Sequence, residues 1–206
     1  MHPKVLGPEA WKTVRTLRRT GLLDGWTLAG GTGLALQLGH RVSEDLDLFR
    51  PQAFESDQLL QHLASAGKVT VQDRGPSTLH VLFDDVRVSY LSTEAPLLFP
   101  GTAYRGLTLA DPRDIAVMKL VAVGGRGSRK DFVDLHFFLK SGGDFASAFL
   151  WLEQRFERID YNTYHILKSL TWFKDAESEP MPQMLKPVTW EDVKRSMVAE
   201  ARRLSP

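Results

Sequence analysis

Trp11, Val14 and Leu17 recur at helical spacing with Lys12, Arg15, Arg18 and Arg19 mostly opposite, so the pattern predicts a helix over Pro8–Arg19, stopped by Gly21. A short apolar segment, 26–29, ends abruptly at Gly30-Gly31-Thr32-Gly33. Leu34, Ala35, Leu36 and Leu38 follow as a short apolar helix closed by Gly39. Residues 44–49 alternate acidic and apolar, which predicts a strand broken by Pro51. Leu59, Leu60 and Leu63 mark a helix capped at Ser56 or Asp57 and ended by Gly67. Three strands are predicted next, over 69–72, 79–83 and 86–91, with Asp84-Asp85 as a tight hairpin turn. Residues 94–108, with two prolines and two glycines, read as loop.

From Asp111 onward the period becomes helical. Asp111-Pro112-Arg113-Asp114 reads as an N-cap, an N1 proline and a first-turn acid, and Ile115, Met118, Leu120 and Val121 form the apolar stripe. Gly124-Gly125-Arg126-Gly127 interrupts, and a second helix carries Phe132, Leu135, His136, Phe138 and Leu139. Further helices are predicted over 144–157, 161–170 and Trp190–Leu204, with a proline-rich stretch at 179–187 before the last. The fold expected is α/β (α+β): a mixed-sheet domain over 1–110 and a C-terminal helical domain over 111–206.

Composition narrows the options. The 206 residues carry 26 Lys and Arg against 25 Asp and Glu, so only local clusters could argue for a polyanionic partner. The absence of cysteine removes disulfides and thiolate chemistry and fits a reducing compartment. No apolar run is long enough for a membrane span, and Met1 to Leu6 contains no apolar signal core, so the expected location is cytoplasmic, with no membrane partner.

The segment richest in chemistry is Gly30-Gly31-Thr32 followed by Asp45-Leu46-Asp47-Leu48. A glycine turn opening a helix presents bare N–H groups at the positive end of the helix dipole, and Thr32 adds a hydroxyl donor. Asp45 and Asp47, two apart on a strand, leave the same face, while Leu46 and Leu48 point to the core. Adjacent carboxylates repel unless a cation lies between them, and hard oxygens suit Mg²⁺ with phosphates completing its shell. Each feature alone has an ordinary explanation as a tight turn or a solvated strand face. In this order they describe a site for nucleoside triphosphate (NTP) chemistry. A dinucleotide fingerprint fails because its third glycine position is Leu36, and Gly127-Ser128-Arg129-Lys130 is not a P-loop.

Residues 29–49 resemble the nucleotidyltransferase superfamily that shares the DNA polymerase β palm, and within it the AbiEii/AbiGii toxin group. The similarity extends to Lys119, to Arg129-Lys130-Asp131-Phe132-Val133-Asp134-Leu135 and, more loosely, to 170–177. The resemblance implies a Mg²⁺-dependent toxin-type nucleotidyltransferase of a toxin–antitoxin or abortive-infection system. It would move a nucleotidyl group from an NTP to an acceptor hydroxyl, on tRNA or other RNA, and an antitoxin protein would oppose it. Asp45 and Asp47 would hold the metal, and Gly30, Gly31 and Thr32 the phosphates. Lys119 would offset charge, and Lys130 with Asp131 or Asp134 would close the site. A third carboxylate common in the superfamily aligns with Ser89 here, a poor metal ligand. On that ground a weakened nucleotide- or RNA-binding module stays open, and a third reading is an enzyme that transfers the group onto a protein side chain.

The remaining signals are weaker. The six histidines show no zinc-ligand spacing, and His40 reads as a residue that orients the loop before the acidic strand. Trp151, Trp172 and Trp190 read as core. Arg126, Arg129 and Lys130 form a basic cluster suited to RNA or triphosphate, whereas Lys12, Arg15, Arg18 and Arg19 read as a solvated face.

Overall fold

The computed structural model describes residues 1–93, 95–157 and 161–205. Strands β1 (Thr27–Leu28), β2 (Leu46–Arg50), β3 (Val69–Gly75), β4 (Thr78–Phe83), β5 (Val86–Ser92), β6 (Thr102–Tyr104) and β7 (Leu107–Leu109) form one mixed sheet in the order β3-β4-β5-β2-β1-β7-β6. The β2–β5 and β1–β7 pairs are parallel and the others antiparallel. Helices α1 (Pro8–Arg19), α2 (Gly30–Leu38) and α3 (Ser56–Ala66) belong to the N-terminal half. Helices α4 (Pro112–Gly125), α5 (Arg129–Lys140), α6 (Phe145–Arg155), α7 (Thr163–Ser169), α8 (Lys174–Glu177) and α9 (Trp190–Leu204) follow. The mixed α/β architecture is the one expected.

Alternation along the central strands sorts core from cleft. Leu46 and Leu48 on β2 and Val88 and Tyr90 on β5 are buried and pack with Val14 and Leu17 of α1. Asp47 and Ser89, one residue out of phase, are only half-buried. A second apolar cluster joins Phe132, Phe138, Phe145, Leu152, Val193 and Met197. Ala29, Leu34, Ala110 and Ile115 form a small third cluster where α2 meets α4.

Local chemistry accounts for several boundaries. The Asp84-Asp85 turn has φ of 47° and 66°, the left-handed pair of a hairpin whose twist matches its strands. Asp111 caps α4 by accepting from the Arg113 N–H at 2.9 Å, with Pro112 in the first turn.

The loop expected over 94–108 is corrected. It contains β6 and β7, turned by Arg105 and Gly106 at φ of 50° and 86°, while Glu94 lies outside the described residues. Leu107 and Leu109 are buried around an exposed Thr108, and Leu109 pairs with Leu28. Three-residue strands are too short to display an alternation that stands out from loop. Strand β2 starts at Leu46, so Asp45 stands just before it.

Candidate active site

The glycine turn is the first turn of α2 itself. Gly30 has φ +58°, and a Cβ there would run into the Asp47 carboxylate. At Gly31 a Cβ would strike the Arg41 guanidinium. Both glycines are therefore fixed by close approach, and Gly30 by its positive φ as well. The first N–H that bonds back along the helix is that of Gly33, to Ala29 O at 2.9 Å. The N–H groups ahead of it have no intrahelical partner.

Gly30, Gly31, Thr32, Asp45 and Asp47 line a cleft of about 230 Å³ together with Lys119 and Met118 of α4 and Lys130 and Asp131 of α5. Arg41, Ser43, Phe49, Ala122 and Arg126 complete its walls. The turn, the acid pair and the basic residues of the second half, distant in sequence, thus converge. Burial and the neighbouring Asp45 charge push the Asp47 carboxyl up, against the opposing pull of the Ser89 hydroxyl and of Lys119 and Lys130. Two hard carboxylates crowded this way are a donor set that fits a divalent cation. Among the described residues no group of three or more His, Cys, Asp or Glu side chains is disposed to hold a metal, so phosphate and water oxygens would have to complete the shell.

Lys119 is buried, not the snorkelling lysine common on helices. Its Nζ donates to Asp131 Oδ1 at 2.6 Å and lies 2.8 Å from Asp134 Oδ2. Burial alone would lower its pKa, but Asp134 and Asp131 raise it overall, so the ammonium stays charged. Asp131 has both oxygens engaged, the second accepting from Ser128 Oγ at 2.6 Å, with Arg126 Nε 3.7 Å away.

Several expected roles are corrected. Asp134 does not line the cleft. It is fully buried, its Oδ1 accepting from His40 Nε2 at 2.8 Å and Arg41 Nε at 2.7 Å, its Oδ2 from Arg41 Nη2 at 2.9 Å. Burial would raise its pKa, but Lys119, Arg41 and the His40 bond hold it well below the usual carboxylate range. Asp134 therefore holds Arg41 and Lys119 from behind the cleft wall. The Thr32 hydroxyl is buried, donates to the Asp45 carbonyl and sits 2.8 Å from Ser43 Oγ. It pins the acidic loop and leaves only its backbone for a ligand. Arg129 turns away from the cleft, its Nε donating to Ala176 O at 2.8 Å and its guanidinium lying 4.7 Å from the Trp190 ring centroid. Trp190 is buried, but Trp172 is 61% exposed and is not core.

Arg41 was not singled out by the sequence. It belongs to the same segment as the motif, but a single arginine carries no pattern, and its partner Asp134 is 93 residues away. His40 does hold the loop, through that same carboxylate.

The sequence model of the family described as "Nucleotidyl transferase AbiEii toxin, Type IV TA system" matches residues 14–99, which contain the glycine turn and both acids. An uncharacterized protein of Aquifex aeolicus (strain VF5) is 34% identical over 178 residues, 84% of each chain. Two solved structures share the fold. JHP933 from Helicobacter pylori superposes with a TM-score of 0.56 at 19% identity, over 96% of this chain and 92% of that one. MenT4, a nucleotidyltransferase toxin of Mycobacterium tuberculosis H37Rv, gives 0.56 at 17% identity, over 95% and 83%. The family match covers the segment that supplies the cleft's glycine turn and both acids, and on that ground the chain belongs to the AbiEii toxin family of nucleotidyltransferases.

Proposed function

We propose that this cleft binds an NTP with Mg²⁺ and transfers its nucleotidyl group to a hydroxyl of an RNA acceptor. The observation that carries the reading is the convergence in one cleft of a glycine-opened helix, two crowded carboxylates and the cations Lys119, Lys130, Arg41 and Arg126. A triphosphate with its metal needs both signs of charge within reach. The acceptor oxygen forms a bond to the α-phosphorus, the bond to the β-phosphate oxygen breaks, pyrophosphate leaves and the hydroxyl proton passes to water.

The chain's own residues bind, position and neutralise. The N–H groups of Gly31 and Thr32 suit phosphate oxygens at a helix N-terminus. Lys119 and Lys130 offset the charge that develops on the leaving group. Arg41, held bidentate by Asp134, presents its guanidinium at the cleft wall beside Gly31. Asp131 steers Lys119 into the cleft. Asp45 and Asp47 would hold the Mg²⁺, which when bound polarises phosphate oxygens and makes the acceptor hydroxyl more acidic.

The same reading assigns residues 1–110 as the nucleotidyltransferase domain and 111–206 as a helical domain that closes it, supported by their two main apolar clusters. It places the protein in the cytoplasm, where NTPs and RNA are found; among the described residues no helix is long and apolar enough to cross a membrane. The type IV toxin–antitoxin description of the family supports a cognate antitoxin as partner.

Incubation with Mg²⁺, each α-labelled NTP, and total RNA or protein tests the proposal. Label in RNA that disappears with Asp45→Ala supports it. Label in protein alone moves the acceptor to a side chain. NTP binding without transfer reduces the chain to a binding module.

A further inference from the structure

Trp172 lies between α7 and α8, its backbone N–H donating to Ser169 O at 3.0 Å. The core at this corner is filled by its neighbour: Phe173 packs 5.2 Å from Phe132 and 5.8 Å from Trp190, centroid to centroid. The indole of Trp172 is thereby left outside, 61% exposed. It borders a second cavity of about 340 Å³, walled also by Gly125, Arg126, His165, Lys168 and Asp175. Arg126 lines this cavity and the active cleft alike, so the two adjoin across one guanidinium.

The floor between them is the last turn of α4. Gly124 is pressed against Ile166, and a Cβ on Gly125 would meet nothing within 4 Å. His165 Nε2 lies 2.9 Å from Gly124 O and braces the wall. Gly125 thus leaves open backbone in this wall, and the exposed indole of Trp172 lines the same cavity with the cations Arg126 and Lys168. A planar ring can approach Gly125 without meeting a side chain. Stacking on an indole does not depend on base identity, and the flanking cations suit a phosphodiester backbone. Asp175 offers an acceptor for a base amino group or a ribose hydroxyl.

We infer that the cavity at Trp172 is an acceptor subsite, in which a nucleobase near the 3′ end of a single-stranded RNA stacks on the indole while Lys168 and Arg126 hold the flanking phosphates. The inference rests on the RNA-acceptor reading of the adjoining cleft and adds the place where that RNA lies. It assigns Trp172 a role in acceptor affinity and none in NTP binding.

The test uses the full-length protein and two measurements. The first is fluorescence anisotropy of a fluorescein-labelled single-stranded 12-nucleotide RNA with no NTP present. The second is steady-state transfer from α-labelled NTP with acceptor and NTP varied in turn. Trp172→Ala should weaken RNA binding by about 5- to 100-fold and raise the acceptor KM to match, with the NTP KM within about twofold of wild type. Trp172→Phe, which keeps an aromatic face, should recover most of the loss. If Trp172→Ala binds RNA and is served by it as wild type is, the subsite is overturned while RNA transfer stands. If both KM values rise together and Phe does not rescue, the residue is structural and the subsite is again overturned. If wild type labels protein and no RNA, the acceptor reading falls and the subsite with it.

Discussion

Asp47 on β2 lies beside Ser89 on β5 in the parallel register, and the serine hydroxyl offsets part of the rise that burial and Asp45 impose on the acid's pKa. Ser89 Oγ is also 2.9 Å from His80 Nδ1 on β4, its register partner on the other side. The position expected for a third carboxylate thus holds a neutral group that supports the second one. Ser89→Asp should put three acids around one point: without divalent cations Tm should fall by several degrees, and added Mg²⁺ should raise it more than in wild type. An identical Mg²⁺ response in both proteins, by differential scanning fluorimetry, would remove Ser89 from the metal's neighbourhood.

Asp47→Asn should separate function from stability. It removes one of the two carboxylates proposed to bind the metal, so transfer should drop by about 10³-fold. Metal-free wild type bears the repulsion of Asp45 and Asp47 and the desolvation of Asp47. The variant should therefore melt at or above the wild-type temperature, a gain of about 2–4 °C for each kcal/mol relieved in a chain of this size. A lower melting temperature together with full activity would contradict the assignment.

Asp134→Asn should do the reverse. The buried acid faces Arg41, Lys119 and His40, and breaking such a cluster typically removes about 3–5 kcal/mol. Because its folded pKa is held well below the usual value of 3.8, its stabilising contribution is complete above that value and is lost as pH falls through the folded pKa. The gap between wild-type and variant denaturation midpoints should be wide at pH 7 and narrow steadily below about pH 4. A gap that does not vary with pH would mean the carboxylate's charge is not what stabilises.

Gly31→Ala tests the close approach of Arg41. The added methyl displaces the guanidinium, which should raise the NTP KM or lower kcat by about tenfold or more while leaving the far-UV circular dichroism unchanged. Wild-type kinetics in this variant would show that Arg41 has room to spare and does not shape the phosphate pocket.

What was legible in the sequence follows from how locally it is encoded. The glycine turn and the acid pair sit within 18 residues, because one strand, one helix and the next strand bring them together, so a single window displays them. The Asp84-Asp85 turn was readable for the same reason. Arg41, by contrast, becomes meaningful only against Asp134, and the division of labour between Asp131 and Asp134 depends on which one faces the cleft. Both lie in α5, one turn apart, and no periodicity tells a ligand-facing acid from a buried one. Trp172 and Phe173 pose the same problem: adjacent aromatics, of which only the second packs against the core. Strands β6 and β7 were hidden by their brevity.

The Asp134 cluster also bears on when the enzyme can first act. His40 and Arg41 emerge from the ribosome early, and Lys119, Asp131 and Asp134 only after some 80 to 90 further residues. Until α5 has been synthesised and docked, the acid pair lacks Lys119 and Lys130, and Arg41 has no carboxylate to hold it beside the glycine turn. A nascent or truncated chain ending near residue 110 would carry the family's signature segment without the cations that line its cleft. On the proposed chemistry, activity waits until translation is well past the midpoint, and α5 is a place where a premature stop would disarm the protein.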